Sequence, residues 1–275
     1  MQRTLIRLFR VLPLGVLYGC MALVVPFYML FGKGFRASYR FFRQRMGYGA
    51  LKSFWRVYRN EYAFGKVVLD RFAAFAGKQF RMNVPRMDLF DRLCEAPGGF
   101  VQLSSHVGCY EMVGYTLHSP KRLNALVYGG ETATVMENRA HLFGQTNVRM
   151  VPVSEDLSHV FLLNNALADG EIASLPGDRM FGSQKTVECL FFGEKAKFPA
   201  GPFLLAVQRG VPVLTVFAMK EGRRDYKVLL DVENAPEGAS KQEKIQFLAD
   251  AYAARLEEVV RLYPDQWYNF YDFWK

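Results

Sequence analysis

Gly99-Phe100-Val101-Gln102-Leu103-Ser104-Ser105-His106-Val107-Gly108-Cys109-Tyr110-Glu111 is an apolar run that breaks into a polar turn. A short apolar run bounded by such punctuation reads as a buried strand. Residues 122–128, 148–153, 171–175 and 211–218 share its character. Between and after them, residues 107–117, 135–143, 157–168, 201–209 and 241–262 repeat apolar side chains at helical intervals. Strands alternating with helices predict an α/β layer fold with a mostly parallel central sheet flanked by helices. In such folds chemistry gathers at the carboxyl ends of strands. His106 follows one predicted strand. Asp178, in Leu175-Pro176-Gly177-Asp178-Arg179, follows another. These two sites can converge, but no local pattern states the strand order.

The opening stretch also carries chemistry. A neutral imidazole accepts a proton near physiological pH. A carboxylate beside it fixes its tautomer and stabilises the imidazolium. Glu111, five positions after His106, is the candidate carboxylate, although one such pair also arises by coincidence in a chain with many glutamates. A base of this kind deprotonates a hydroxyl, which can then attack a thioester. No Gly-x-Ser-x-Gly elbow is present, which disfavours an esterase. Cys109 invites a nucleophile reading beside the simpler one of a buried small residue. The four cysteines form no CxxC pair, so a disulfide framework or zinc site is not expected. His118, His141 and His159 lack ligand-like spacing, and no metal or cofactor is predicted.

Charge divides the chain unevenly. Its 275 residues carry 35 Lys and Arg against 26 Asp and Glu, a net +9. Residues 1–60 hold 11 of those basic residues and no acid, leaving 24 basic and 26 acidic in the remainder. The basic residues flank an uncharged stretch of 21 residues, 11–31, and are interleaved with aromatics. That pattern suits an anionic membrane surface better than nucleic acid. A 21-residue helix can span the ~30 Å hydrocarbon core or lie on it. The heavier positive flank, Lys33 to Arg45, keeps the body on the cytoplasmic side. Leu17-Tyr18-Gly19-Cys20 faintly suggests lipoprotein processing, but the apolar run continues past the cysteine. Residues 34 to about 77 read as helix, with Arg36, Arg40 and Arg43 on one face poised for lipid phosphates. The organisation expected is a membrane anchor at 1–33, a basic and aromatic helical region at 34–98, and a catalytic α/β body at 99–275.

The His106 to Glu111 motif with Gly108 and Tyr110, Arg149 with Asp178 at a separation of 29, and the Gly170-Glu171 turn occur in one order along the chain. Phe191-Phe192-Gly193 through Pro202, Gly210-Val211-Pro212-Val213-Leu214 and Pro264-Asp265-Gln266-Trp267 complete the set. Together these segments resemble one family, the bacterial late acyltransferases of lipid A biosynthesis, within the lysophospholipid acyltransferase-like group. Asn269 to Trp274 depart from the better-known endings, and Arg139 competes with Arg149. The resemblance implies a glycerolipid acyltransferase-like fold at the bacterial inner membrane. It implies transfer of a fatty acyl group from acyl carrier protein, or coenzyme A, to a hydroxyl of a membrane lipid. The acceptor is a lipid A precursor, or an ornithine-type, glycolipid or pigment lipid. His106 and Glu111 are the implied catalytic pair. Arg149, Asp178, Arg179, Gly108 and Gly177 are candidates for substrate binding, through phosphate contacts from the arginines and oxyanion contacts from the glycine backbone. A non-catalytic lipid-binding protein is the remaining alternative.

Overall fold

The computed structural model describes residues 8–32, 34–115, 117–127, 147–154, 156–179 and 185–274. Its centre is strand β2 (Phe100–Ser104), the run that opened the sequence reading. Helix α1 (Leu14–Phe31), α2 (Phe35–Arg40), α3 (Ala50–Phe75), strand β1 (Arg81–Asn83) and α4 (Met87–Glu95) precede it. A 3-10 turn (Tyr110–Tyr115), β3 (Leu123–Val127), β4 (Val148–Pro152), α5 (Ser158–Ala168) and β5 (Ile172–Pro176) follow. Then come β6 (Thr186–Phe191), β7 (Glu194–Pro199), α6 (Gly201–Arg209), β8 (Val213–Lys220), β9 (Asp225–Glu233) and α7 (Lys241–Leu262).

Seven strands form one sheet in the order β1-β9-β8-β2-β5-β3-β4. Only the β8–β9 pairing is antiparallel. The five strands read from sequence are all present, each within about two residues of its expected bounds. Helices α5, α6 and α7 also fall where periodicity placed them, α7 behind a Ser240–Glu243 capping box. The expected helix at 135–143 lies outside the described residues. The expected helix at 107–117 is instead a 3-10 turn. Val107 and Gly108 are drawn into bridges with Trp267 and Ala218, and their backbone is therefore not helical.

Alternation along the strands supplies two layers. Val101 and Leu103 of β2, with Val213, Phe217 and Met219 of β8, pack under α5, α6 and α7. Phe100, Leu214, Val216 and Ala218 face the opposite side, against α4 and the 3-10 turn. Successive side chains on a strand point to opposite faces, so a strand covered on both sides reads as continuously apolar.

Three features escaped the sequence reading. Strands β1 and β9 extend the sheet beyond β8, so residues 34–98 are not wholly helical. Strands β6 and β7 form a separate hairpin closed by Phe192 and Gly193, both at positive φ. Two residues with φ > 0 match the right-handed twist of the flanking strands. The helix expected from 34 to 77 is broken: after α2 a π turn (Phe41–Arg45) and Gly47 at φ +68° redirect the chain into α3. The Arg36, Arg40 and Arg43 face therefore does not form as one stripe. Arg40 pairs with Asp272, and Arg43 donates to the Tyr48 carbonyl.

The N-terminal apolar stretch folds as α1, packed along α3. Leu14, Tyr18, Val25 and Met29 are buried there. Gly65 of α3 leaves room for Met21, since a Cβ at that position would lie 2.6 Å from its side chain. Pro26 removes the N–H that would bond to the Ala22 carbonyl, and the Tyr58 hydroxyl donates to that carbonyl instead at 3.2 Å. Among the described residues, no helix is long and apolar enough to cross a membrane.

Candidate active site

Strands β2 and β5 run parallel with Ser104 opposite Pro176. The next two residues of each strand carry the chain off the sheet together, bringing His106 beside Asp178. The Asp178 carboxylate accepts from the His106 backbone N–H at 2.7 Å and from the His106 Nδ1 side at 2.8 Å. A carboxylate accepts, so the ring proton sits on Nδ1 and the Nε2 lone pair is left open. Nε2 makes no hydrogen bond among the described residues, and the side chain retains 19% exposure. The Asp178 side chain is buried.

Expectation and geometry part at Glu111. The carboxylate on the imidazole is that of Asp178. Glu111 is carried on the 3-10 turn and pairs with Arg71 of α3. A tight turn after Gly108 swings residue 111 away along that turn, whereas the β2–β5 register delivers Asp178 directly. Arg71 is a residue of the site that the sequence reading missed, because forty positions separate it from Glu111.

The two glycines serve the loop. Gly108 has φ +66°, and a Cβ there would lie 2.1 Å from the Ala218 carbonyl oxygen. Its N–H donates to the Gln266 carbonyl. Gly177 lies under the Tyr252 ring, 2.5 Å from where a Cβ would stand, and its N–H donates to the Ser104 carbonyl. Neither N–H is available for a developing oxyanion. The oxyanion role expected of them is replaced by close packing that only glycine permits.

Arg179 follows Asp178 into the site. Its Nη2 donates to the Tyr268 carbonyl at 3.0 Å, and the Tyr268 N–H donates to the His106 carbonyl at 2.8 Å. One residue thus separates the guanidinium from the backbone of the histidine. Arg179 Nε is buried without a hydrogen-bond partner among the described residues. Arg149 stands elsewhere. It is exposed on the edge strand β4 and level, through Asn124 and Ala173, with Val101. Three strand spacings put it roughly 14 Å across the sheet from β2, and it stands five residues short of His106 along the strand direction. Its expected place in the site is not found. Arg139 lies outside the described residues.

The C-terminal segment closes the site from above. Gln266 clasps Lys220 at both its N–H and its C=O, and Trp267 bridges Val107. The Tyr271 hydroxyl donates to the Asp178 carbonyl at 3.3 Å. Burial, and then the Asp178 charge, push that phenol up to about 12. The same two causes raise Tyr252, whose hydroxyl donates to the Ser104 carbonyl. Both phenols stay protonated beside the buried Asp178 carboxylate. Cys109 is buried, and burial pushes its thiol up to about 12. A thiol that does not ionise is not a nucleophile. Gln266 and Trp267 belong to the tail segment singled out in the sequence, but nothing local placed that segment over His106.

The family model for the bacterial lipid A biosynthesis acyltransferase matches residues 77–275. No curated protein matches the chain. Among solved structures, the 1-acyl-sn-glycerophosphate (LPA) acyltransferase PlsC from Thermotoga maritima is similar over 90% of this chain and 98% of its own, at 14% identity and TM-score 0.44. The matched span holds His106, Asp178, Arg179 and the closing tail, and with it the chain belongs to the bacterial lipid A biosynthesis acyltransferase family and is an acyltransferase that acts on a lipid acceptor.

Proposed function

We propose that the protein transfers a fatty acyl group from the thioester of acyl carrier protein, or of coenzyme A, to a hydroxyl of a lipid A precursor, with His106 as the general base. The observation that carries this reading is the His106–Asp178 pair, with Nε2 open and the Arg179 guanidinium one residue away. Nε2 takes the proton of the acceptor hydroxyl. The oxygen attacks the thioester carbonyl carbon, and the carbonyl becomes an oxyanion. We assign that charge to the Arg179 guanidinium, since the nearby glycine N–H groups are already engaged. Collapse breaks the carbon–sulfur bond. The imidazolium returns its proton to the departing thiolate, leaving the acyl ester and a free thiol. Asp178 holds the tautomer and stabilises the imidazolium between these steps. General-base catalysis supplies ~10²–10⁴-fold, and orientation of the two substrates supplies much of the rest.

The work is placed at the inner-membrane surface, on its cytoplasmic side. Support comes from α1 and α3. Behind the buried face of α1, Leu23, Val24, Phe27 and Tyr28 are more than half exposed, as are Val11 before it and Leu51 and Trp55 at the start of α3. A helix apolar on all sides seeks an apolar medium on each of them. The body supplies one, and the headgroup and acyl boundary of a bilayer supplies the other. Arg36 and Lys52 are exposed nearby, suited to anionic lipid.

Purified wild-type and His106→Ala proteins, incubated with acyl carrier protein thioester and a lipid A precursor, test the reading by mass spectrometry of the lipid. The wild type should add one acyl chain, and the variant should be slower by two to four orders of magnitude. Equal rates would remove His106 as the base. Acylation of other lipids alone would redirect the acceptor.

A further inference from the structure

We propose that Arg81, Arg223 and Arg224 form a second lipid-recognition site, one that takes a phosphomonoester carried on a lipid. A cavity of about 300 Å³ is lined by these three arginines with Pro13, Leu14 and Asp225. Arg223 and Arg224 sit on the turn between β8 and β9, and Arg81 begins β1. Because β8 runs parallel to β2, this turn projects from the end of the sheet that carries His106.

The charge inside the cavity does not cancel. Asp225 is the single acid among the lining residues, and Arg81 Nε donates to its Oδ1 at 2.5 Å. Arg223 and Arg224 have no carboxylate in an ion pair among the described residues. Two positive charges therefore face one space. A phosphomonoester, at about −1.5 to −2 near neutral pH, matches them in charge. Its oxygens suit the forked guanidinium donors. The wall opposite Arg223 is the first turn of α1, which no side chain caps. Gly15 in that turn lies against the Arg223 guanidinium, since a Cβ there would stand in ordinary contact with Nη2, at 3.5 Å.

The site is also built from behind. The Arg223 carbonyl accepts from Lys220 Nζ at 3.0 Å, and the Tyr18 hydroxyl oxygen lies 3.2 Å from it. Both groups are held by Asp70, which is fully buried on α3. Lys220 Nζ and the Tyr226 hydroxyl each donate to its Oδ2 at 2.5 Å, and Tyr18 donates to Oδ1. A buried network of α1, α3, β8 and β9 thus fixes the backbone of a turn whose guanidinium groups stay exposed. Such preorganisation lowers the ordering cost of gripping an anion. Val11, 79% exposed two residues before Pro13 of the lining, offers an apolar neighbour to the acyl part of a phosphate-bearing lipid.

Binding to phosphatidylcholine vesicles doped with phosphatidic acid, or with phosphatidylglycerol at equal total charge, reads this site directly. The wild type should prefer the phosphatidic acid vesicles by roughly tenfold or more. Arg223→Ala with Arg224→Ala should lose that preference and keep its binding to phosphatidylglycerol vesicles. Gly15→Asp, which places a carboxylate against Arg223, should do the same. Arg209→Ala with Lys241→Ala removes equal charge at the opposite end of the sheet and should keep the preference. His106→Ala should also keep it, which separates this site from the transfer reaction. A preference that survives in the Arg223 and Arg224 variant, or falls equally in the Arg209 and Lys241 variant, overturns the proposal. Inhibition by inorganic phosphate at the same concentration as vesicle phosphatidate would show that free phosphate is the ligand and overturn the lipid assignment.

Discussion

Asp178 accepts twice from His106, once from its backbone N–H at 2.7 Å and once from its ring at 2.8 Å. The double contact ties the catalytic loop after β2 to the loop after β5. It sets the position of the backbone and the tautomer of the ring with one buried carboxylate. An asparagine cannot do both. Its amide offers one acceptor oxygen, and its NH2 must face either the His106 N–H or Nδ1. Facing Nδ1, it accommodates only the tautomer with the proton on Nε2, which is no base.

Asp178→Asn should therefore lower kcat by at least ~10²-fold in a protein that still folds. Glu111→Gln acts on Arg71 and should cost less than Asp178→Asn. Steady-state kinetics on both purified variants make the comparison. A larger loss at Glu111 would return the orienting role to that residue.

Gly108→Ala should destabilise the fold and abolish transfer together. The left-handed conformation costs a side-chain-bearing residue ~1–2 kcal/mol. The added Cβ would also press on the Ala218 carbonyl oxygen, and backbone has little freedom to move. A drop of several degrees in Tm is the outcome to look for by calorimetry. An unchanged Tm would show that the loop can refit.

Cys109→Ala should retain activity within a few-fold. The thiol is buried, and burial holds it protonated, with a pKa of about 12. Activity assays with a thiol-blocking reagent on wild type and variant give the check. Loss of transfer in a folded variant would restore a chemical role to the sulfur.

Glu61 should make stability depend on pH. It is 4% exposed on α3, and its Oε2 accepts no hydrogen bond among the described residues. Burial pushes its carboxyl up to about 7. In the unfolded chain a glutamate titrates near ~4.3. Between those values the folded state keeps a proton that the unfolded state has released, so this group's contribution falls as pH rises from about 4 to 7 and is level above. Glu61→Gln is uncharged throughout. Its stability relative to wild type should rise across that window by roughly 4 kcal/mol at most. Urea unfolding at about pH 5 and about pH 8 measures the change. A constant difference between the two proteins would mean that Glu61 does not titrate there.

Local pattern carried much of the architecture. Val101, Leu103, Val213 and Phe217 sit in apolar runs of strand length, and α7 announces itself by its cap and its periodicity over Lys241–Leu262. The β6–β7 hairpin was harder to read, because the Phe191-Phe192-Gly193 turn places a bulky Phe192 at positive φ where Asn or Asp is usual. The break between α2 and α3 was hidden by apolar spacing that continues across Gly47.

Short-range physics, the alternation of side chains along a strand and the turn that ends it, already placed His106 and Asp178 each just beyond a strand. Which loops meet is a property of strand order, and that is settled by packing among elements far apart in the chain. Because β5 lies beside β2, Asp178 reaches the imidazole; because β4 lies at the sheet edge, Arg149 does not. The same holds for Glu111, close to His106 in sequence yet paired with Arg71 of α3, and for the apolar stretch 11–31, whose α1 finds half its cover on the body. Hydrophobic burial selects the arrangement of layers without regard to sequence separation. The partner of each charged group then follows from the layer against which it is pressed.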